Sequence, residues 1–222
     1  MKQPTIDQYL LSTCLFTIDE LNEQFKLKTK EELKKIADEK FNEMDITVRL
    51  GYPFKQNVHY TIGEKNDSNG IKVNHDLYVE SKDFMIEIKY LKNWNSGSGT
   101  KSVRKSWKEY QMDFDWLIEE IANGHKHKRA FVIGWFNCVD SISQYLQLGS
   151  SVGSNPLINE ERVAYFPFLR KIKSPTYISD LIYNYDSAYK ELSLNLIGES
   201  NPNCNCLFLG NENDVFHFTI YY

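Results

Sequence analysis

A chain of 222 residues, 41% apolar and 14% aromatic, has material for one substantial core with additions and too little for two full-sized domains. A charged fraction of 25% and a net charge of −4 argue against global disorder and against a globally basic surface. Any attraction for nucleic acid must therefore come from local charge.

The elements follow in chain order. Thr17-Ile18-Asp19-Glu20 and Thr29-Lys30-Glu31-Glu32 both fit the S/T-x-x-E capping pattern, which predicts short helices in the first thirty residues. Beyond the second cap, Leu33, Ile36, Ala37, Phe41, Met44 and Val48 recur at helical steps, so one helix is expected from about residue 30 towards 50. Gly51-Tyr52-Pro53 breaks it. Residues 54–62 read as a strand, 63–70 as a turn, 71–79 as a second strand and 84–91 as a third. A polar loop over 93–102 leads into a helix over 103–122 closed by Asn123-Gly124, and 129–137 reads as a buried strand. Beyond residue 140 we expect a short helix, a helix near 178–196 and two terminal strands.

The longest nearly apolar run, 130–139, is too short for a bilayer and contains Asn137, so no membrane partner is expected. Met1-Lys2-Gln3-Pro4 lacks the apolar stretch of a signal peptide, which places the protein in the cytoplasm. Cys14, Cys138, Cys204 and Cys206 form no CxxC pair and are expected to pack rather than to bridge.

The chemistry concentrates in two predicted strands, Asn74-His75-Asp76-Leu77-Tyr78-Val79 and Phe84-Met85-Ile86-Glu87-Ile88-Lys89-Tyr90. Alternation puts Glu87 and Lys89 on one face of the third strand and Phe84, Ile86, Ile88 and Tyr90 on the other. If the strands pair as a hairpin about Ser81, Asp76 lies near Lys89 or Glu87, and two carboxylates converge with an ammonium. Such a group suits phosphodiester hydrolysis. Hard oxygen ligands hold Mg²⁺ or Mn²⁺, the metal stabilises charge on the phosphate, and lysine orients water or meets developing charge. The plain alternative is a solvated hairpin face, since the chain holds four acidic-x-Lys triplets; only Glu87-Ile88-Lys89 lies inside an apolar strand.

With Asp76, Glu87 and Lys89 at the three motif positions, residues 30–137 resemble the PD-(D/E)xK nuclease superfamily, although His75 stands where proline often precedes the first acid. The resemblance implies an α/β, restriction-endonuclease-like core of helix, three strands, helix and strand, with a mixed sheet flanked by helices. That core would span 30–138, between a helical segment at 1–29 and an α+β extension over 139–222. It further implies a DNA endonuclease that uses Mg²⁺ or Mn²⁺, with Asp76 and Glu87 as metal ligands, Lys89 acting on the attacking water or the phosphate, and a homodimer as partner state. Many members add a first-helix glutamate. Glu32, Glu39 and Glu43 share a polar stripe; Glu32 is claimed by the capping box and Glu39 points away from the apolar face, so Glu43 is our choice.

Residues 88–108 hold six basic side chains and no acid. Lys92, Lys101, Arg104 and Lys105 from this lane are the candidates for contacts with the DNA backbone, against the alternative of a solvated loop. A nucleotide-binding P-loop is disfavoured because Thr100, not glycine, precedes Lys101. A second reading of the whole is a catalytically silent nuclease-fold module that binds DNA or assembles a complex.

Overall fold

Ile6, Leu10, Cys14, Ile18 and Leu21, spaced by three or four residues and all buried, wind the start of the chain into one long helix, α1 (Ile6–Phe25). Thr17 therefore opens no second helix; it lies inside α1 with its hydroxyl donating to the Thr13 carbonyl at 2.9 Å. The computed structural model describes residues 4–60, 65–66, 72–73, 76–92, 103–139, 158–173, 179–196 and 203–222.

The helix expected from 30 to 50 is two helices, α2 (Lys30–Glu39) and α3 (Glu43–Gly51). The break has a local cause. The Asn42 side chain accepts the Met44 N–H and Asp45 accepts the Asn42 N–H, each at 2.8 Å, which starts a new helix and turns Phe41 into the core. A 3-10 turn (Tyr52–Asn57) takes the first half of the expected first strand and leaves only β1 (Val58–Tyr60). The expected turn over 63–70 carries part of a two-stranded ladder, β2 (Lys65–Asn66) with β3 (Lys72–Val73), so the second strand is divided between β3 and β4 (Leu77–Val79).

After β5 (Phe84–Tyr90) come α4 (Val103–Glu120), which ends before Gly124 at φ +93°, and β6 (Arg129–Phe136). The tail holds α5 (Glu160–Val163), β7 (Leu169–Lys173), β8 (Ser179–Tyr183), β9 (Glu191–Ser193), β10 (Asn205–Leu209) and β11 (Phe216–Tyr221). The helix expected near 178–196 is not formed. β8 pairs with β7 and β9 with β10, and Tyr183 stacks on Phe208 and Trp135, a burial that a helix over this segment would forgo.

The result is a mixed α/β fold around a seven-stranded sheet of order β1-β4-β5-β6-β11-β10-β9. Only β5 and β6 run parallel, joined across one face by α4; every other pair is antiparallel. On one face α1, α2 and α3 cover Ile86, Ile88, Val132 and Phe218. On the other, α4 and the β7–β8 hairpin cover Phe131, Ile133, Trp135 and Phe208. Among the described residues, α1 shares a core with the middle of the chain, and β9, β10 and β11 of the tail share its sheet. All four cysteines are buried and none forms a disulfide. Among the described residues no helix is long and apolar enough to cross a membrane.

Arg129 locks the start of the parallel pair. Its guanidinium is buried, donates to Glu120 at 2.6 Å and to the Asp83 carbonyl at 2.6 Å, and so ties the end of α4 to the turn before β5.

Candidate active site

The β4–β5 ladder pairs Leu77 with Ile86 and Val79 with Phe84. One step further along the same register, Asp76 stands opposite Glu87, and directly opposed residues share a face. The reversal is a 3-10 turn over Glu80–Lys82 followed by Asp83 in the left-handed region at φ 55°, so the ladder is not symmetric about Ser81. Of the two partners expected for Asp76, this register selects Glu87. The Asp76 carboxylate also accepts the Ile88 N–H at 2.8 Å. Side chains on β5 alternate between Phe84, Ile86, Ile88 and Tyr90, which enter the core under α1–α3, and Glu87 and Lys89, which face the side of α4. Glu87 is 8% exposed, so its face is not the solvated one of an ordinary amphipathic hairpin.

Glu43 arrives from a different element. The break at Asn42 makes it the first residue of α3, and its carboxylate accepts the Tyr90 N–H at 3.4 Å. Burial raises its pKa above the ordinary glutamate value; Lys89 opposes this, and the Asp76 and Glu87 charges reinforce it. Those influences bring Glu43, Asp76, Glu87 and Lys89 into one electrostatic neighbourhood. Of the other two first-helix acids, Glu32 serves the Thr29 capping box at the exposed start of α2, and Glu39 is exposed at its end.

A fourth acid, Asp113 on α4, escaped the sequence reading. Its Oδ2 lies 3.2 Å from Lys89 Nζ. The contact is an ion pair at hydrogen-bonding distance. Burial pushes the Asp113 carboxyl up to about 7; Lys89 pulls the other way, while Glu87 and Asp76 add to the rise. For Lys89, burial alone would lower the pKa, but Asp113, Glu43 and Asp76 outweigh it and raise it, so the ammonium stays charged. The available signal for Asp113 was its place on α4, three residues after Tyr110 and four before Leu117, at the border of the apolar stripe.

Four carboxylates and one ammonium therefore share one electrostatic neighbourhood, largely out of water. Buried charge of one sign in excess calls for a counter-ion, and a set of carboxylate oxygens matches a hard divalent cation. Among the described residues no three His, Cys, Asp or Glu side chains make a ready-formed metal group. Mg²⁺ does not require one, since one or two carboxylates with water commonly hold it.

The candidate DNA contacts divide. Lys92 is exposed, with its ammonium 5.8 Å from the Tyr90 ring centre. Arg104 and Lys105 lie in the first turn of α4. Lys101 and the loop over 93–102 lie outside the described residues.

No family model matches the chain, and no curated protein or solved structure was found to be similar to it.

Proposed function

We propose that this chain is a metal-dependent nuclease of the restriction-endonuclease-like kind, hydrolysing DNA phosphodiester bonds, most simply as an endonuclease. One observation carries the reading: the Asp76 carboxylate, just before β4, accepts the Ile88 N–H of β5 between Glu87 and Lys89, and continuing the β4–β5 register puts Asp76 across from Glu87, with Glu43 acting on the same group. The order α2 and α3, β1, β4, β5, α4, β6, with β5 and β6 parallel, supports it.

In hydrolysis water forms a new P–O bond, one ester P–O bond breaks, and the leaving oxygen takes a proton. Asp76 and Glu87 would hold Mg²⁺ or Mn²⁺, which supplies positive charge against the phosphate and eases ionisation of water. Lys89, kept charged by its neighbours, donates to a phosphate oxygen or to the attacking water. Glu43 binds a proton more tightly than an ordinary glutamate and stands ready to take one from that water. Lys92, Arg104 and Lys105, with Lys101, would follow the phosphate backbone.

The test is cleavage of supercoiled, single-stranded and branched DNA with Mg²⁺ by the wild type, Glu87→Ala and Lys89→Ala. The wild type should cut and each variant should lose about a hundredfold or more in rate. A wild type that cuts nothing yet binds DNA with steep salt dependence would establish the silent binding module instead.

A further inference from the structure

We propose that Asp113 is a positioning residue that holds the Lys89 ammonium on the α4 side of the site and keeps it from occupying the carboxylates that would take the divalent cation. The inference rests on the nuclease reading above and deepens it. Lysine is a compact charge on a flexible four-carbon stem, and in a neighbourhood containing Glu43, Asp76 and Glu87 it is drawn towards the same oxygens as a metal ion. Asp113 supplies a competing partner at 3.2 Å, while Lys89 Nζ also donates to its neighbouring Ile88 carbonyl at 3.4 Å.

The anchor is rigid. Asp113 sits beside Phe114 and between Tyr110 and Leu117, all buried under the sheet, and its side chain is 16% exposed against 22% for Lys89. A side chain fixed in this way loses little further freedom on holding the lysine. Taking both charges out of water costs about as much as their mutual attraction returns, so the pair is weak evidence for stability and is better explained by where it holds the ammonium.

The test is a cycle of wild type, Asp113→Asn, Lys89→Met and the double variant, read by direct calorimetric Mn²⁺ binding in the absence of DNA and by cleavage kinetics. Asp113→Asn should weaken Mn²⁺ binding and lower kcat, each by about tenfold, with KM for DNA unchanged. In the Lys89→Met background the same change should alter Mn²⁺ affinity by less than about twofold, because Asp113 acts through the lysine. Asp113→Glu, which keeps the charge, should recover part of the loss and serves if the Asn variant folds poorly. An undiminished effect of Asp113→Asn on Mn²⁺ affinity without Lys89 would overturn the proposal and make Asp113 a ligand in its own right; wild-type Mn²⁺ affinity and kcat in Asp113→Asn would overturn it by leaving Asp113 no role at the site. A wild type that binds Mn²⁺ but cuts no DNA sinks the nuclease reading while the affinity cycle still decides Asp113; one that neither binds nor cuts sinks both.

Discussion

The carboxylate of Asp76 accepts the backbone N–H of Ile88 at 2.8 Å, so the acid preceding β4 is bound directly to the strand that carries Glu87 and Lys89. Charge and hydrogen bond can be separated here. Asp76→Asn keeps an acceptor for Ile88 and should fold with nearly wild-type stability, whereas Asp76→Ala should cost about 1–2 kcal/mol. Both should lose Mg²⁺-dependent cleavage by about a hundredfold or more. Urea unfolding together with plasmid nicking checks the pair.

Glu87 lies buried among other acids, and like charges out of water repel. In EDTA at neutral pH, Glu87→Gln should be at least as stable as the wild type. Adding Mn²⁺ should reverse the order, raising wild-type stability by about 2.7 kcal/mol at a hundredfold excess over Kd and leaving Glu87→Gln unmoved. Thermal unfolding with and without Mn²⁺ reads both effects; an equal shift in the two proteins would remove Glu87 from the metal site.

His217 offers a pH test outside the candidate site. It is fully buried, its Nε2 bonds the Asn211 carbonyl at 3.0 Å and its Nδ1 has no hydrogen-bond partner among the described residues, so protonation would add a donor with no acceptor there. Burial accordingly holds its pKa down to about 4, from an ordinary 6.5. Between those values the unfolded chain binds the proton and the folded one does not, so stability rises with pH and falls as pH drops from 6.5 towards 4. The contribution lost is about 3 kcal/mol. In denaturant unfolding at pH 7, 5.5 and 4.5, His217→Phe should show a shallower decline.

Gly134 permits α3 to approach the sheet. A Cβ built there would lie 2.8 Å from Ile46 Cδ1 and 2.9 Å from the Phe216 ring. Gly134→Ala should cost about 1–3 kcal/mol by overpacking. Because Ile46 is on the same helix as Glu43, displacement of α3 should also reduce cleavage, whereas Met112→Ala, on the exposed side of α4, should leave stability nearly unchanged.

The residues around Asp76, Glu87 and Lys89 show how far local pattern reaches. The apolar alternation of 84–90 declares a strand and assigns Glu87 and Lys89 to a common face, and β5 ends within one residue of the expected position. The helix expected near 178–196 misled because Leu181, Tyr185 and Leu192 can be read at helical spacing, while the preference for strands came from Trp135 and Phe208, distant in sequence. Asn42 was missed for a different reason: an Asn-x-x-Asp capping box is as good a start as Thr-x-x-Glu, but the longer apolar periodicity across it masked the break.

Side-chain period, caps and turn formers act over a few residues, and they were enough to determine β5, α4 and β6 and the face on which Glu87 and Lys89 lie. Which elements meet depends on burying whole faces together, a contest among contacts far apart in sequence. Only the tertiary structure decided that Asp76 binds β5 at Ile88, beside Glu87, that α3 begins where Glu43 reaches Tyr90, and that α4 brings Asp113 to Lys89.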